Sequence, residues 1–380
     1  MTEVFIAGVG MTRFGPQPTA SVSSLSKQSI RQCLKDAGAE ASQVGAVYFS
    51  NAAQGFNVGK HGLAGPLTLQ GTGLEGLPVV NVENGGAGGG TAFWLARNHV
   101  LSGQDDLVLA IGSESFSALS TEYKSLPNAD RPAHSMLVHT LLCRAHMSRF
   151  GTTQRQLAMI ASKNHANSVL NPKSYIKRPL TVEEILDAPA QCYPLNLPMW
   201  STLSDGSAAA LLGTTNGLKR LKGDNKAIRV DSCILTSCKT HDWEDFDNHL
   251  VSRAASRAYA RAGIGPEDVD IAEVHDANSF SELFMTELLG FCEWGHGGQF
   301  AESGATMLDG RLPINTSGGL EAKGHPIGAT GLGQIYELVT QLRGKAGARQ
   351  VDFAKVAVQE NGGGLLGNED AVAVVTVLSR

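Results

Sequence analysis

The strongest constraint on this chain is that it nearly repeats itself. Asp36 to Asn51 reads D-A-G-A-E-A-S-Q-V-G-A-V-Y-F-S-N, and Arg261 to Asp276 reads R-A-G-I-G-P-E-D-V-D-I-A-E-V-H-D. Aligned without gaps, Ala37 meets Ala262, Gly38 meets Gly263 and Val44 meets Val269. Each stretch reads as a helix stopped by a C-terminal Gly, then a polar loop, then a strand. A second echo links Gly88-Gly89-Gly90-Thr91 with Gly328-Ala329-Thr330-Gly331, each a Gly-rich turn opening a helix and followed by an apolar strand. Strand-like and helix-like segments alternate throughout, which predicts an α/β protein with largely parallel sheets. Two half-molecules of similar topology follow, residues 1–225 and 226–380, joined near 217–228. Between about 117 and 198 the pattern breaks into helical pieces and loops, so an insertion is expected there, a natural place for a substrate lid.

At 380 residues and 42% hydrophobic content the chain can bury large cores. A net charge of −5 without a basic run argues against nucleic-acid binding. No apolar stretch is long enough to cross a bilayer, and the N-terminus runs directly into a strand rather than into a signal peptide. Six cysteines lack metal-ligand spacing and read as reduced thiols of a cytoplasmic protein.

Four segments carry chemistry. Residues 315–331, N-T-S-G-G-L-E-A-K-G-H-P-I-G-A-T-G, put His325 on a turn before a helix, where backbone N–H groups and the helix dipole favour negative charge. Glu273-Val274-His275-Asp276 closes a strand of the second half, and ligands collect beyond such strand ends. A His-Asp pair there can polarise a carbonyl, with Asp276 selecting the tautomer of His275. Gln359-Glu360-Asn361-Gly362-Gly363-Gly364 reads as a hairpin turn whose backbone can approach a ligand oxygen. Val82 to Ala92 is a Gly-rich strand-to-helix turn with no acidic partner for dinucleotide binding.

Together these segments resemble the thiolase superfamily, nearest the sterol-carrier-protein-2 type. The Gly-His-Pro run resembles that family's GHP signature, and His275 falls in its HDCF segment, whose Cys and Phe are here Ala277 and Asn278. Ser204-Asp205-Gly206-Ser207 resembles a thiolase strand start. The resemblance implies a five-layered α-β-α-β-α thiolase fold of two pseudo-repeated halves with an inserted loop domain. It also implies a homodimer, acyl-CoA substrates and no permanently bound cofactor, coenzyme A entering as part of the substrate. Two oxyanion holes are implied, one at His325 with a water held by His275, the other at the backbone N–H groups of Gly86 and Gly363.

The departures from that pattern matter as much. Gly86 stands where the family carries its nucleophilic Cys, and Asn361 where many members carry an acid/base Cys. What survives is the means to stabilise a thioester enolate. Three readings compete: Cys-independent C–C bond chemistry on an acyl-CoA, with aldol-type cleavage of a 3-hydroxyacyl-CoA favoured; a non-catalytic subunit working with an active or zinc-ribbon/OB-type partner; and an ordinary β-ketoacyl-CoA thiolase carrying a Cys-to-Gly change. His275 or His325 is the expected base, with Glu83 and Glu321 as more distant candidates. Among His134, His139, His146 and His165 of the insertion, some could meet a CoA phosphate.

Overall fold

The repeat in the sequence is a repeat of elements. A computed structural model of the chain describes residues 2–53, 62–117, 131–222, 226–242 and 244–380. The first half contributes strands β1 (Phe5–Met11), β2 (Ala46–Ser50), β3 (Val79–Val82), β4 (Leu107–Glu114) and β7 (Gly206–Gly213), and the second half β8 (Ile228–Ser237), β9 (Ile271–Glu273), β10 (Val356–Gly363) and β11 (Val372–Ser379). A small ribbon, β5 (Ala190–Cys192) with β6 (Leu195–Asn196), stands apart. The nine strands run in the order β3-β2-β4-β7-β1-β8-β11-β10-β9. Read outward from the β1–β8 junction, β1-β7-β4-β2 and β8-β11-β10-β9 pass through the same succession of antiparallel and parallel pairings, mirrored around that seam, and β3 extends the first half by one more strand. The seam itself is short, Phe5 facing Arg229 and Ile6 facing Ile228.

The sheet is mixed rather than largely parallel. Five neighbouring pairs are antiparallel and three parallel. The reason is connection length: β10 and β11 form a hairpin, and β7 returns beside β4 only after the inserted segment, so neither needs a helical crossover. Gln359 to Gly363 belong to β10 itself, and the turn follows them.

Seven helices of ten or more residues are described: α1 (Val22–Ala37), α2 (Gly88–Ser102), α3 (Arg131–Phe150), α4 (Gln154–Leu170), α5 (Leu250–Ala262), α6 (Ser279–Leu288) and α7 (Thr330–Leu342). Helices α1 and α5 are the echoed pair, stopped by Gly38 and Gly263, whose φ values of 65° and 71° are left-handed and favour glycine. Each is followed by one 3₁₀ turn, Ala41–Gln43 or Pro266–Asp268, and then by β2 or β9.

Strand alternation sorts the layers. On β4, Leu107, Leu109 and Ile111 pack beneath α1 with Val22, Ile30 and Cys33. Val108 and Ala110 face the opposite way, onto Phe93 and Ala96 of α2 and Leu332 and Ile335 of α7. On β11, Val374 and Leu378 close the same central layer, while Ala373, Val375 and Val377 turn outward to Ala254 and Ala258 of α5 and Leu283 of α6. Five layers result: α1, the first half's strands, α2 with α7, the second half's strands, and α5 with α6. The expected junction near 217–228 and the beginning of the expected insertion fall partly outside the described residues. The described part of the insertion contains α3, α4 and the ribbon, and α4 crosses to the second half, where buried Lys163 pairs with Glu282 of α6.

Phe93 is fully buried in the central layer, where it meets both halves. Phe93→Ala should lower unfolding free energy by about 3–5 kcal/mol, measured by chemical denaturation. A loss below about 1 kcal/mol would show that the central layer is not packed as described.

Candidate active site

The four chemistry-bearing segments converge where the two central helices begin. The contact is backbone to backbone: a Cβ at Gly89 would sit 3.0 Å from Leu332 N and 3.1 Å from Gly331 N, and one at Gly331 only 2.5 Å from Gly90 N. Only glycine allows that approach. It sets the turn Gly85–Ala87, before α2, beside the turn Ile327–Ala329, before α7.

His275 follows directly on β9. Val274 N–H donates to Asn315 Oδ1 at 2.9 Å, and His275 N–H donates to Glu360 Oε2 at 2.9 Å. His325 N–H donates to Thr202 O at 2.8 Å, and its ring Nδ1 lies 2.7 Å from Thr330 Oγ1 at the start of α7. The two rings meet edge to face, centroids 5.2 Å apart. Both residues are buried, with 7% of His275 and 8% of His325 left accessible.

The His275 ring lies over Gly86. A Cβ on residue 86 would stand 2.7 Å from His275 Cε1, 3.1 Å from Nε2 and 2.8 Å from Gly362 O. Gly86 therefore has no room for a side chain while the ring and that carbonyl hold their places. Asn361 completes the cluster: its Nδ2 donates to Gly86 O at 3.0 Å and lies 3.2 Å from His275 Nδ1, while its Oδ1 accepts from Gly90 N–H at 3.0 Å. Gly363 abuts the same turn, its missing Cβ leaving space for Ala87 N and Asn84 O.

Asp276 does something other than set the tautomer of His275. Its oxygens accept Leu320 N–H at 2.7 Å and Glu321 N–H at 3.3 Å, which ties the end of β9 to the turn leading to His325. The approach is close enough that a Cβ at Gly319 would lie 2.1 Å from Asp276 Oδ2. The group on His275 Nδ1 is the Asn361 amide. Glu83 is exposed, and Glu321 is buried with its oxygens taken by Ser279 Oγ and Asn164 Nδ2, so neither stands out as a base.

Burial strips protons from the imidazoles. Desolvation, then the charges of His325, His139 and Lys323, hold His275 well below the usual imidazole range. Desolvation, with Lys323, brings His325 down to about 4. Both rings are neutral near pH 7. His139 of α3, which sequence reasoning offered only to a CoA phosphate, belongs to this electrostatic neighbourhood and is itself brought down to about 4 by burial. His146 is held in an aromatic cluster by Thr152 and Glu287, His165 lies by Pro198 O, and the side chain of His134 falls outside the described residues. The cysteines sit elsewhere. Burial pushes the Cys143 thiol up to about 12, that of Cys233 to about 11 and that of Cys292 to about 12, and raises Cys33 further, which leaves them poor nucleophiles.

Two carboxyls behind the site go the other way. Burial raises Glu114 to about 7, although Ala52, Ala53 and Gly328 N–H groups and Asn51 oppose the shift. Burial, then Asp370, raises Glu360 to about 8.

Comparison with known proteins places this arrangement. Residues 4–178 match the thiolase N-terminal domain and residues 234–380 the thiolase C-terminal domain-like family. An acetyl-CoA acetyltransferase of Methanothermobacter thermautotrophicus is 33% identical over 100% of both chains. Sterol carrier protein 2 of Oryctolagus cuniculus is 33% identical over 95% of this chain and 70% of its own length, and the benzoylsuccinyl-CoA thiolase subunit BbsB of Thauera aromatica is 30% identical over 95% of each. Among solved structures, the Ltp2-ChsH2(DUF35) aldolase superposes with a TM-score of 0.82 over 98% of this chain and 97% of that one, at 21% identity.

The raised carboxyls set a direction for stability. The folded protein keeps the Glu114 and Glu360 protons at pH values where the unfolded chain has lost them, so their contribution is lost as pH rises from about 4.5 through about 8. The buried imidazoles of His139, His249, His275 and His325 oppose this trend until their unfolded counterparts have lost their protons, about one unit above the ordinary imidazole pKa. Melting temperature should therefore fall between about pH 7.5 and 9, and Glu360→Gln should flatten the fall; an unchanged slope in that variant would remove Glu360 from the account. With both domain matches and full-length identity in hand, the chain belongs to the thiolase family.

Proposed function

We propose that this protein makes or breaks a C–C bond next to an acyl-CoA thioester through an enolate, without an acyl-enzyme, and that cleavage of a 3-hydroxyacyl-CoA is its reaction. One observation carries the reading: the imidazole of His275 fills the space above Gly86 that a nucleophilic side chain would need, and it stands paired with His325. Acyl-CoA thioesters as the substrate class rest on the names of the relatives, an acetyl-CoA acetyltransferase and a benzoylsuccinyl-CoA thiolase subunit.

The chemistry balances with the residues in hand. A base takes the proton of the 3-hydroxyl, the C2–C3 bond breaks, an aldehyde or ketone leaves, and the electron pair stays as the thioester enolate. Neutral donors aimed at the enolate oxygen lower the barrier by the means that an oxyanion hole uses. The same proton returns to C2 and releases the shortened acyl-CoA. No thiol and no second acid is consumed, which suits a site with Gly at 86, Ala at 277 and Asn at 361. A second reading, a thiolase-like subunit needing a partner chain, has support in two names, the BbsB subunit and the two-component Ltp2-ChsH2 aldolase. In either reading a homodimer remains the expected core assembly.

Purified protein mixed with a 3-hydroxyacyl-CoA should release a carbonyl compound and a shorter acyl-CoA; mixed with a β-ketoacyl-CoA plus CoA, it should leave the thiol unconsumed. Inertness with both substrates, relieved by a co-purifying chain, would favour the partner reading. His325→Ala should reduce turnover on the order of 10²-fold or more. Gly86→Cys should not confer thiolysis, because its Cβ would displace the His275 ring or the Gly362 carbonyl. Rapid thiolysis by that variant would mean an ordinary thiolase that had merely lost its nucleophile.

A further inference from the structure

We infer that Asn361 and Thr330 are positioning residues that hold the two histidines in opposite tautomers: His275 as an Nε2–H donor to the enolate oxygen, and His325 as an Nε2 acceptor that takes the hydroxyl proton. The tautomers follow from hydrogen-bond bookkeeping on neighbouring groups. Their division of labour rests on the proposed reaction.

The Asn361 amide cannot be turned round. Its oxygen accepts from a backbone N–H, that of Gly90, and its nitrogen donates to a backbone carbonyl, that of Gly86. Exchanging the two atoms would set acceptor against acceptor and donor against donor. The nitrogen is therefore the atom that faces His275 Nδ1 at 3.2 Å, and it has a second N–H to give. Nδ1 accepts, so the single ring proton of a neutral His275 is on Nε2. That atom lies over Gly86, 3.1 Å from where a Cβ there would stand. Asn361 is fully buried, so water does not compete for this bond.

Thr330 imposes the reverse on His325. Its hydroxyl has one proton and two neighbours, Pro326 O at 3.2 Å and His325 Nδ1 at 2.7 Å. The carbonyl can only accept, and a threonine in the first turn of a helix commonly donates to the carbonyl four residues back. Both bonds are made together only when Nδ1 carries the ring proton and donates to Oγ1. The lone pair of His325 is then on Nε2. Two adjacent neutral imidazoles thus present one donor and one acceptor. In the cleavage, His325 Nε2 takes the 3-hydroxyl proton as C2–C3 breaks. His275 Nε2–H bonds to the enolate oxygen without giving up its proton. His325 then returns its proton to C2, and both rings end as they began.

Residue 361 thereby gains a role that needs no acid/base chemistry of its own. An Asn can fix a neighbouring ring's proton because its donor face is locked by the main chain of the other half. Aspartate, of nearly the same shape, would demand Nδ1–H instead.

Protein labelled with 15N-histidine, its ring signals assigned from His275→Gln and His325→Gln, gives the tautomers directly by two-bond 1H–15N correlation. The expected result is Nε2–H for His275 and Nδ1–H for His325 at pH 7; the same tautomer on both rings, or Nδ1–H on His275, would overturn the assignment. Asn361→Asp should switch His275 to Nδ1–H and lower kcat on the order of 10²- to 10⁴-fold with KM little changed. Should that variant fail to fold, Thr330→Val removes the hydroxyl alone and should lower kcat at least about tenfold, while Thr330→Ser restores most of it. A folded Thr330→Val with full kcat, or Thr330→Ser as slow as Thr330→Val, would sink the role of Thr330. If the tautomers are as assigned and 3-hydroxyacyl-CoA is still untouched, the proposed reaction fails and the assignment stands; turnover with both rings in one tautomer does the opposite.

Discussion

The site exists because two helix starts touch through their backbones. Gly88 to Gly90 and Gly328 to Gly331 open α2 and α7, and no side chain separates them. Helix α2 packs chiefly on strands of the first half and α7 on strands of both, so this contact also ties the two halves together across the central layer. With the N-termini side by side, the turns preceding them, at Gly86 and at His325, have to face a common space. The orphan N–H groups and positive dipole ends of both helices lie near it, which favours negative charge developing there.

Low polarity works in the same direction. The rings of His275 and His325 are neutral at rest because burial disfavours a second proton, so His325 takes one only while a negative charge develops beside it. A neutral imidazole can donate a hydrogen bond to an anion, or accept a proton, without bringing a resting charge that the closed site would have to solvate. The carboxylates around them are engaged elsewhere. Asp276 clamps the turn of residues 318–324 to the end of β9, Glu273 is bonded to Ser317 and Lys323, and Glu282 to Lys163, Asn164 and Asn315. These ties fix the backbone that bears the imidazoles, and among the described residues no carboxylate is paired with either ring.

Much of this was legible in the sequence, and the parts that were not have physical reasons. The echo from Asp36 and from Arg261 marks one helix-turn-strand unit that occurs twice, because a helix C-cap, a short turn and a strand each require particular residue types, which both segments carry. The grouping of residues 86, 275, 325, 361 and 363 comes from the family resemblance, since nothing in their spacing along the chain brings them together. Strand direction was not legible, since parallel and antiparallel strands buried on both faces share one apolar pattern. The hairpin reading of residues 359–364 went astray because glycine within a strand looks like a turn; here Gly362 and Gly363 are small so that other backbone can come close. Adjacency in sequence suggests that Asp276 serves His275, but consecutive residues after a strand point apart, and its partners are Asn164 and two N–H groups more than forty residues further on. Thr330 stood in plain view inside the Gly-His-Pro segment, but its bond to the ring depends on the turn between them.

Helix α4 rises from the first half and spends its buried polar side chains on the second. Lys163 reaches Glu282 and Ile314 O, Asn164 reaches Glu282 and Glu321, and Asn167 and Asn171 reach carbonyls at 315 and 317. The excursion thus acts as a staple: either half alone would leave an ammonium or a cluster of carboxylates stranded in apolar surroundings. The two halves therefore depend on each other's charges, and neither is expected to persist as a separate polypeptide.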